Sequence, residues 1–258
     1  YRAGQIIGTT GYEEAASLGL HAGLNAALAC YGRPPFALGR HEGYLGVLVD
    51  DLVTRGTQEP YRMFTSRAEY RILLRQDNAD QRLTPKGRAL GLIQDKDWAA
   101  FEHKQSSVAA MTKELETTSA TPDNINTALE DKGSSPIRQK TRWAQLISRP
   151  HIHLANLMEH DPTLLQHHRE YPQGWYDLTE TQIKYKGYID KEQAQADRMR
   201  DMENLTLPQD LEYARMTSLS MEGRTKLAEA RPATLGAASK ISGVSASDLS
   251  VLMVYLGR

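Results

Sequence analysis

The segment that decides the fold is residues 3–15, which read AGQIIGTTGYEEA. The isoleucine pair predicts the end of a short strand over residues 1–7, and the glycine-bounded residues 8–11 predict a turn. Thr10 and Glu13 have the spacing of a capping box, in which each side chain satisfies a backbone N–H of the first helical turn. A helix is therefore predicted to begin at this point.

This helix start is also the best candidate for a ligand site. The free N–H groups and the positive dipole end of a helix favour an anionic or electron-rich group, and Gln5 at the end of the predicted strand can reach the same ligand. The helix itself is predicted over residues 12–30. A capped surface helix without a ligand has the same pattern, because short glycine motifs are weak evidence on their own.

The remainder of the chain is predicted to be mainly helical. Residues 43–83 mix short β-like runs, at 45–49 and 70–74, with polar turns, and this mixture indicates irregular α/β structure. Helical patterns dominate from residue 84 onward, with a helix predicted at about residues 95–116.

Two further helical features are predicted nearer the end of the chain. Thr179 and Gln182 have the spacing of a second capping box and predict a helix start. The last fifty residues predict a helix-turn-helix around a Ser-Gly-Val turn at 242–244. Its turn amides and the nearby Lys240 are a candidate phosphate contact, although packing or protein docking explains such a turn more often.

Composition limits the class of protein. The 258 residues are 40% hydrophobic and 24% charged, which predicts a folded chain, and the net charge of -1 means that attraction to a polyanion must come from local clusters. The single cysteine, Cys30, excludes an internal disulfide and favours the cytoplasm. No apolar run approaches the roughly 20 residues that cross a bilayer, so no membrane association is expected. The histidines fit no common zinc spacing, so no metal is expected.

A basic cluster follows the first helix. Residues 55–88 contain eight basic and four acidic residues, namely Arg55, Arg62, Arg67, Arg71, Arg75, Arg82, Lys86 and Arg88 against Glu59, Glu69, Asp77 and Asp80. Arginine forks suit RNA phosphates, and Tyr61, Phe64 and Tyr70 offer stacking surfaces for an unstacked base. The alternative is that Arg67 and Arg71 pair with Glu69, Asp77 or Asp80 and hold the fold together.

Several of these segments resemble the GidA/MnmG family of flavin-dependent tRNA-modifying enzymes. Residues 3–15 are similar to its last flavin-contacting stretch. The most distinctive match is YLGVLVDDL at 44–52 followed by EPYRMFTSRAEYR at 59–71. The similarity continues through residues 77–84 and returns at residues 184–189 and 232–244, so it covers nearly the whole chain and is densest over the first ninety residues.

The resemblance implies a specific chemistry. Members of the family bind FAD and NADH and act with a GTPase partner of the MnmE type. They install an aminomethyl or carboxymethylaminomethyl group at C5 of the wobble uridine of certain tRNAs, with the methylene supplied by a folate one-carbon donor. A homodimer in the cytoplasm is expected by the same resemblance.

The resemblance also assigns residues. Gln5 matches a glutamine that contacts FAD, and Gly11, Tyr12 and Glu13 are its neighbours at the helix end. In the basic cluster, the tRNA-binding residues are expected to be Arg62, Arg67, Arg71 and Arg75. The family's dinucleotide-binding glycines and its proposed catalytic cysteines belong to sequence that precedes this chain. The catalytic residues therefore stay unknown, and this part is expected to be inactive alone.

The expected fold is mainly α, with the remnant of an α/β FAD-binding domain followed by a C-terminal helical domain. The expected parts are residues 1–35, the end of the FAD-binding domain as strand, turn and helix; residues 36–92, a mixed α/β connecting region with a basic tRNA-facing surface; residues 93–205, a helical domain; and residues 206–258, a small C-terminal helical subdomain. One alternative is a non-catalytic helical module that binds tRNA or protein. The other is the folate- and FAD-dependent tRNA methyltransferase family, against which the long helical extension after Thr84 argues.

Overall fold

The computed structural model describes residues 1–54, 59–239 and 241–257. These residues form two compact units, the first comprising residues 1–50 and 59–192 and the second comprising the described parts of residues 51–58 and 193–258. Arg55 and Lys240, two candidate phosphate contacts, lie outside the described residues.

The described chain is mainly helical, as predicted. The helices are α1 (Tyr12–Cys30), α2 (Tyr44–Thr54), α3 (Ala79–Ala89), α4 (Asp95–Thr117), α5 (Pro122–Asp131), α6 (Trp143–Ile147), α7 (Leu154–His160), α8 (Gln173–Glu203), α9 (Met221–Ala230), α10 (Leu235–Ser239) and α11 (Ala246–Tyr255). Two short strands, β1 (Ser119–Ala120) and β2 (Thr141–Arg142), pair antiparallel with Ser119 opposite Arg142.

The strand predicted over residues 1–7 is wrong. Gly4–Ile7 forms a single 3₁₀ turn, closed by the N–H of Gly8, which donates to the carbonyl of Gln5 at 3.0 Å. Gly4 and Gly8 have φ angles of +75° and +94°, a left-handed conformation that an extended strand does not contain. The only strand-like pairing described near this turn is a parallel bridge between Thr9 and Tyr61.

The β-like runs predicted between residues 43 and 83 are also wrong. Residues 45–49 lie within α2, and residues 70–74 form turns. Val47, Leu48 and Asp51 are buried, and their spacing is that of one face of a helix. A short apolar run fits a buried strand or a buried helix equally well, and here tertiary packing selects the helix. The connecting region expected to be mixed α/β therefore contains no regular strand among its described residues.

Neither predicted capping box forms. Gly11 is the N-cap of α1, and the hydroxyl of Thr10 instead donates to the carbonyl of Tyr61 at 3.2 Å. Helix α8 begins at Gln173, so Thr179 lies inside it and donates to the carbonyl of Trp175 at 2.8 Å. A threonine followed three residues later by Glu or Gln also occurs inside helices, where the hydroxyl bonds to the preceding turn.

The main core of the first unit is built by α4 to α8. Met111, Leu115, Leu129, Leu146 and Leu157 are fully buried in it. The loop after α5 is held by an amide clamp, in which Asn126 accepts from the N–H of Ile137 at 2.7 Å and donates to its carbonyl at 3.0 Å. Backbone polar groups buried in a loop need such partners, so the clamp seals one edge of this core.

The second unit has its own hydrophobic core and a capping box at the start of α11. Ser245 caps α11, with Asp248 completing the box. The Asp248 carboxylate also accepts from the N–H of Ser220, the cap of α9, at 2.7 Å, so one buried side chain joins the starts of two helices. The hydrogen bond from Ser245 outweighs the effect of burial and, with those from Ser220, lowers the pKa of Asp248 to about 2.

Replacing Asp248 with Asn should lower the free energy of unfolding of the second unit by about 1–3 kcal/mol near neutral pH, because buried donors lose a charged acceptor. The folded-state pKa lies below the ordinary value of 3.8, so this stabilisation is complete above about pH 4 and is lost as the pH falls towards 2. Urea unfolding across this pH range measures both effects. Asp210→Asn, an exposed site, is the control; equal unfolding of the two variants near neutral pH would contradict the assignment.

Candidate functional site

The four residues predicted to contact a cofactor lie together at the start of α1. The 3₁₀ turn carrying Gln5 packs against the first turn of the helix, where a Cβ atom on Gly4 would lie 3.8 Å from that of Ala15. Gln5, Tyr12 and Glu13 are exposed and Gly11 is half-buried, with Tyr12 93% exposed. The structure therefore places all four side by side and open to contact.

Glu14, which the sequence did not single out, closes the inner side of this helix end. Its carboxylate is buried and accepts from the backbone N–H of Met63 at 2.8 Å. A Cβ atom on Gly11 would lie 1.5 Å from Oε2 of Glu14, so a larger residue at the cap would require the Glu14 carboxylate to move. Glu14 lies three residues after the N-cap Gly11, the position that an acidic residue takes in a capping box. Its role could therefore be inferred once the cap is known.

A cavity of about 400 Å³ opens beside the helix end. It is lined by Glu13, Glu14, Ser17, Tyr44, Leu45, Leu48, Arg62 and Met63. Glu13 was predicted to contact the cofactor and Arg62 was predicted to contact RNA, and they are 49 residues apart in the chain. Packing thus brings one member of each predicted set to a single cavity.

Two of the four predicted RNA-binding arginines are engaged within the fold. The Arg75 guanidinium pairs with Asp77 at 2.9 Å and donates to the carbonyl of Ile72 at 2.6 Å. Arg67 donates to the carbonyl of Arg62 at 3.0 Å, and its guanidinium carbon lies 4.5 Å from the centre of the Tyr61 ring. These contacts stabilise the conformation of residues 61–77, the arginine-bearing segment.

The other two arginines are open to a ligand. The guanidinium groups of Arg62 and Arg71 are on exposed residues and have no ion pair or hydrogen bond within the described part of the chain. The acidic residues considered as their partners bind elsewhere, since Glu69 pairs with Arg40 at 2.7 Å and Asp80 pairs with Lys104 at 2.7 Å. Of the three acidic residues, Asp77 pairs with Arg75. Neither Arg62 nor Arg71 pairs with any of the three in the described part of the chain.

Arg40 organises this region, a role that no sequence pattern predicted. Its side chain is only 17% exposed. It bonds to Glu69, to Asp50 of α2 at 3.0 Å and to the backbone carbonyl of Arg67 at 3.1 Å. One guanidinium thus fixes α2 against the arginine-bearing segment, using the several donors that only arginine presents in a rigid fork.

Neither a membrane-spanning helix nor a metal-binding cluster occurs among the described residues. Across residues 1–54, 59–239 and 241–257, no helix is long and apolar enough to cross a membrane. Within the same ranges, no three His, Cys, Asp or Glu side chains are grouped so that they could hold a metal ion. Two histidines contact carboxylates, with His153 2.8 Å from Glu180 and His168 3.4 Å from Glu114.

Three family profiles match the chain. The GidA profile, described as glucose inhibited division protein A, matches residues 1–34. The tRNA modifying enzyme MnmG/GidA C-terminal helical domain matches residues 95–193, and the C-terminal helical bundle of the same enzyme matches residues 195–258.

Curated relatives match over the whole chain. A protein of Flavobacterium psychrophilum is 48% identical over 259 residues, covering 100% of this chain and 42% of its own length. A protein of Cytophaga hutchinsonii is 47% identical, covering 99% of this chain and 41% of its own length. Both are named tRNA uridine 5-carboxymethylaminomethyl modification enzyme MnmG. The chain thus spans about two-fifths of the length of these relatives.

Solved structures agree with the sequence relatives. The form II crystal of Aquifex aeolicus GidA matches with a TM-score of 0.77 and 34% identity over 100% of this chain and 40% of that one. The form I crystal matches with a TM-score of 0.75 and 35% identity over 100% of this chain and 39% of that one. By sequence and by fold, this chain belongs to the MnmG/GidA family and corresponds to its C-terminal portion.

Proposed function

We propose that this chain is the C-terminal part of an FAD-dependent enzyme that, with a GTPase partner of the MnmE type, adds an aminomethyl or carboxymethylaminomethyl group to C5 of the wobble uridine of certain tRNAs. NADH and a folate one-carbon donor are its other reactants, and it works as a cytoplasmic homodimer. This part supplies one wall of the FAD site, a tRNA-binding surface and a docking surface for the partner. The names of relatives that are nearly half identical over the whole chain support the activity.

The observation that carries the flavin role is the exposed start of α1. Gln5 and the first helical amides offer donors to an electron-rich group. Glu13 and Glu14 are acidic, so they oppose a phosphate and favour the uncharged carbonyl edge of an isoalloxazine. Tyr1, Ile6 and Tyr12 expose apolar surface nearby, which a flat ring or another protein surface could cover. Bound FAD would supply the redox chemistry.

The cavity shared by Glu13 and Arg62 supports a site that handles both flavin and RNA. An enzyme that modifies a base must take that base out of its stack and bring it beside the reactive group. In this chain, the helix end proposed to face the flavin and an arginine proposed to bind tRNA border one cavity. The tyrosine, leucine and methionine side chains in its lining suit the faces of a base.

Replacing Gln5 with Ala in the full-length protein should weaken FAD binding about 2–10-fold, the effect of losing one hydrogen bond to the ligand. The flavin content after gel filtration and the dissociation constant from fluorescence titration measure it. Gln139→Ala, at an exposed position in the helical part of the first unit, is the matched control. Unchanged FAD content and activity in the Gln5 variant would instead favour the second function, a helical module that binds tRNA or protein without touching flavin.

A further inference from the structure

Helix α8 carries two tyrosines on its surface. Tyr185 is 48% exposed and Tyr188 is 63% exposed, and their ring centres are 6.3 Å apart with an angle of 52° between the ring planes. Neither hydroxyl has a hydrogen-bond partner in the described part of the chain. Large aromatic side chains are normally buried, so two exposed tyrosines side by side indicate a binding surface.

Cations lie on both sides of this pair. Going around α8, the helical period of 3.6 residues places Lys186 first, then Tyr185, then Tyr188 and then Lys191. Lys186 is exposed and its ion pair with Asp190 is loose, at 3.6 Å. Lys191 is exposed and has no ion pair among the residues that the structure describes. An exposed ion pair of this length contributes little, so phosphates can compete with Asp190 for Lys186, while Lys191 can meet them directly.

A groove of about 270 Å³ adjoins the Lys186 side of the pair. It is lined by Arg75, Asn78, Gln81, Thr112, Glu116, Gln182, Ile183, Lys186, Ile189 and Asp190. Its volume is below the roughly 300–1,000 Å³ of pockets that enclose a whole small molecule, so it suits a single planar ring. Among the residues that the structure describes, the Gln81 and Gln182 side chains bond only to each other, at 3.4 Å, which leaves most of both amides available to a base edge.

The groove also connects α8 to the arginine-bearing segment. The N–H of Leu73 donates to the Glu192 carboxylate of α8 at 2.7 Å, and Arg71 lies two residues before Leu73. Residues more than one hundred positions apart in the sequence therefore meet beside α8.

We propose that the α8 tyrosine strip, defined as Tyr185, Lys186, Tyr188 and Lys191, binds an unpaired stretch of tRNA. Its bases stack on the two rings, and Lys186 and Lys191 bind the flanking phosphates. The inference rests on the proposed function, which makes tRNA the substrate. Aromatic rings placed between cations are the usual surface for single-stranded nucleic acid, whereas lysine is depleted in protein–protein interfaces.

The test uses the full-length flavoprotein and fluorescence anisotropy with labelled, unfractionated bacterial tRNA. Tyr185→Gln with Tyr188→Gln removes both stacking faces but keeps good helix formers, and should weaken binding about tenfold or more. Tyr185→Phe with Tyr188→Phe keeps the rings and should stay within about twofold of the parent. Lys186→Gln with Lys191→Gln removes two phosphate contacts and should reduce the slope of log affinity against log salt by about 1.4.

A fully paired RNA duplex is the comparison probe, and the variant with both tyrosines replaced by glutamine should bind it like the parent, because a duplex has no unpaired base to stack. If the parent binds tRNA and the glutamine variants bind it equally well, the strip is not an RNA site, while the proposed function stands. The same conclusion follows if these variants lose a protein partner and keep tRNA. If the parent itself binds no tRNA, both the strip and the proposed function fail. The flavin content and the far-UV circular dichroism of each variant show that the variants are folded.

Discussion

Replacing Gly46 with Ala should destabilise the first unit by about 3 kcal/mol, because the added methyl group overfills a packed site. A Cβ atom at this position would lie 2.2 Å from the carbonyl oxygen of Gly39 and 2.7 Å from that of Leu38. Both obstacles are backbone atoms, so α2 must move away from the loop that precedes it. The movement would also disturb Arg40, which follows Gly39 and bonds to Asp50 and Glu69.

Chemical denaturation of the parent and the variant measures this loss. Gly187→Ala is the matched control, because Gly187 lies inside α8 and a Cβ atom there would meet nothing within 4 Å. Alanine in an open helical position should raise the free energy of unfolding by about 0.5–1 kcal/mol, since it reduces the freedom of the unfolded chain. Opposite signs for the two glycines are the expected result. A gain in stability from Gly46→Ala would contradict the close approach of α2 to this loop.

Neutralising Arg62 and Arg71 together, each to Gln, should lower tRNA affinity about tenfold or more at moderate salt and reduce the salt slope by about 1.5, the effect of losing two phosphate contacts. These two guanidinium groups are exposed and unpaired within residues 1–54, 59–239 and 241–257. Their loss should therefore leave the free energy of unfolding unchanged. Anisotropy titrations with unfractionated bacterial tRNA at several salt concentrations measure affinity and slope together.

Two comparisons make this result specific to position. Arg33→Gln with Arg138→Gln removes the same charge from other exposed sites and should change tRNA binding little. Arg67→Gln with Arg75→Gln should instead lower stability, because those side chains contact Tyr61, Ile72 and Asp77. Equal losses of tRNA affinity from the Arg62/Arg71 and Arg33/Arg138 pairs would show that only net charge matters and would remove the case for a defined surface.

Local patterns were sufficient where a segment carries its own structural information. Helix α1 occupies the predicted residues 12–30, and α4 ends within one residue of the predicted end at residue 116. Amphipathic spacing and flanking breakers are read within the segment itself, so long helices could be predicted from the sequence. The motifs at residues 3–15, 44–52 and 59–71 likewise carried the family resemblance without knowledge of the fold.

The tertiary structure decided the features that depend on partners far along the chain. Whether residues 45–49 form a helix or a strand depended on what they pack against, and the partner of the buried Glu14 carboxylate is the N–H of Met63, 49 residues away. Glu69 pairs with Arg40, 29 residues earlier, and does not pair with Arg62 or Arg71. Ion pairs and cavities require atoms within a few ångströms, and only packing fixes such distances between segments that the sequence keeps apart.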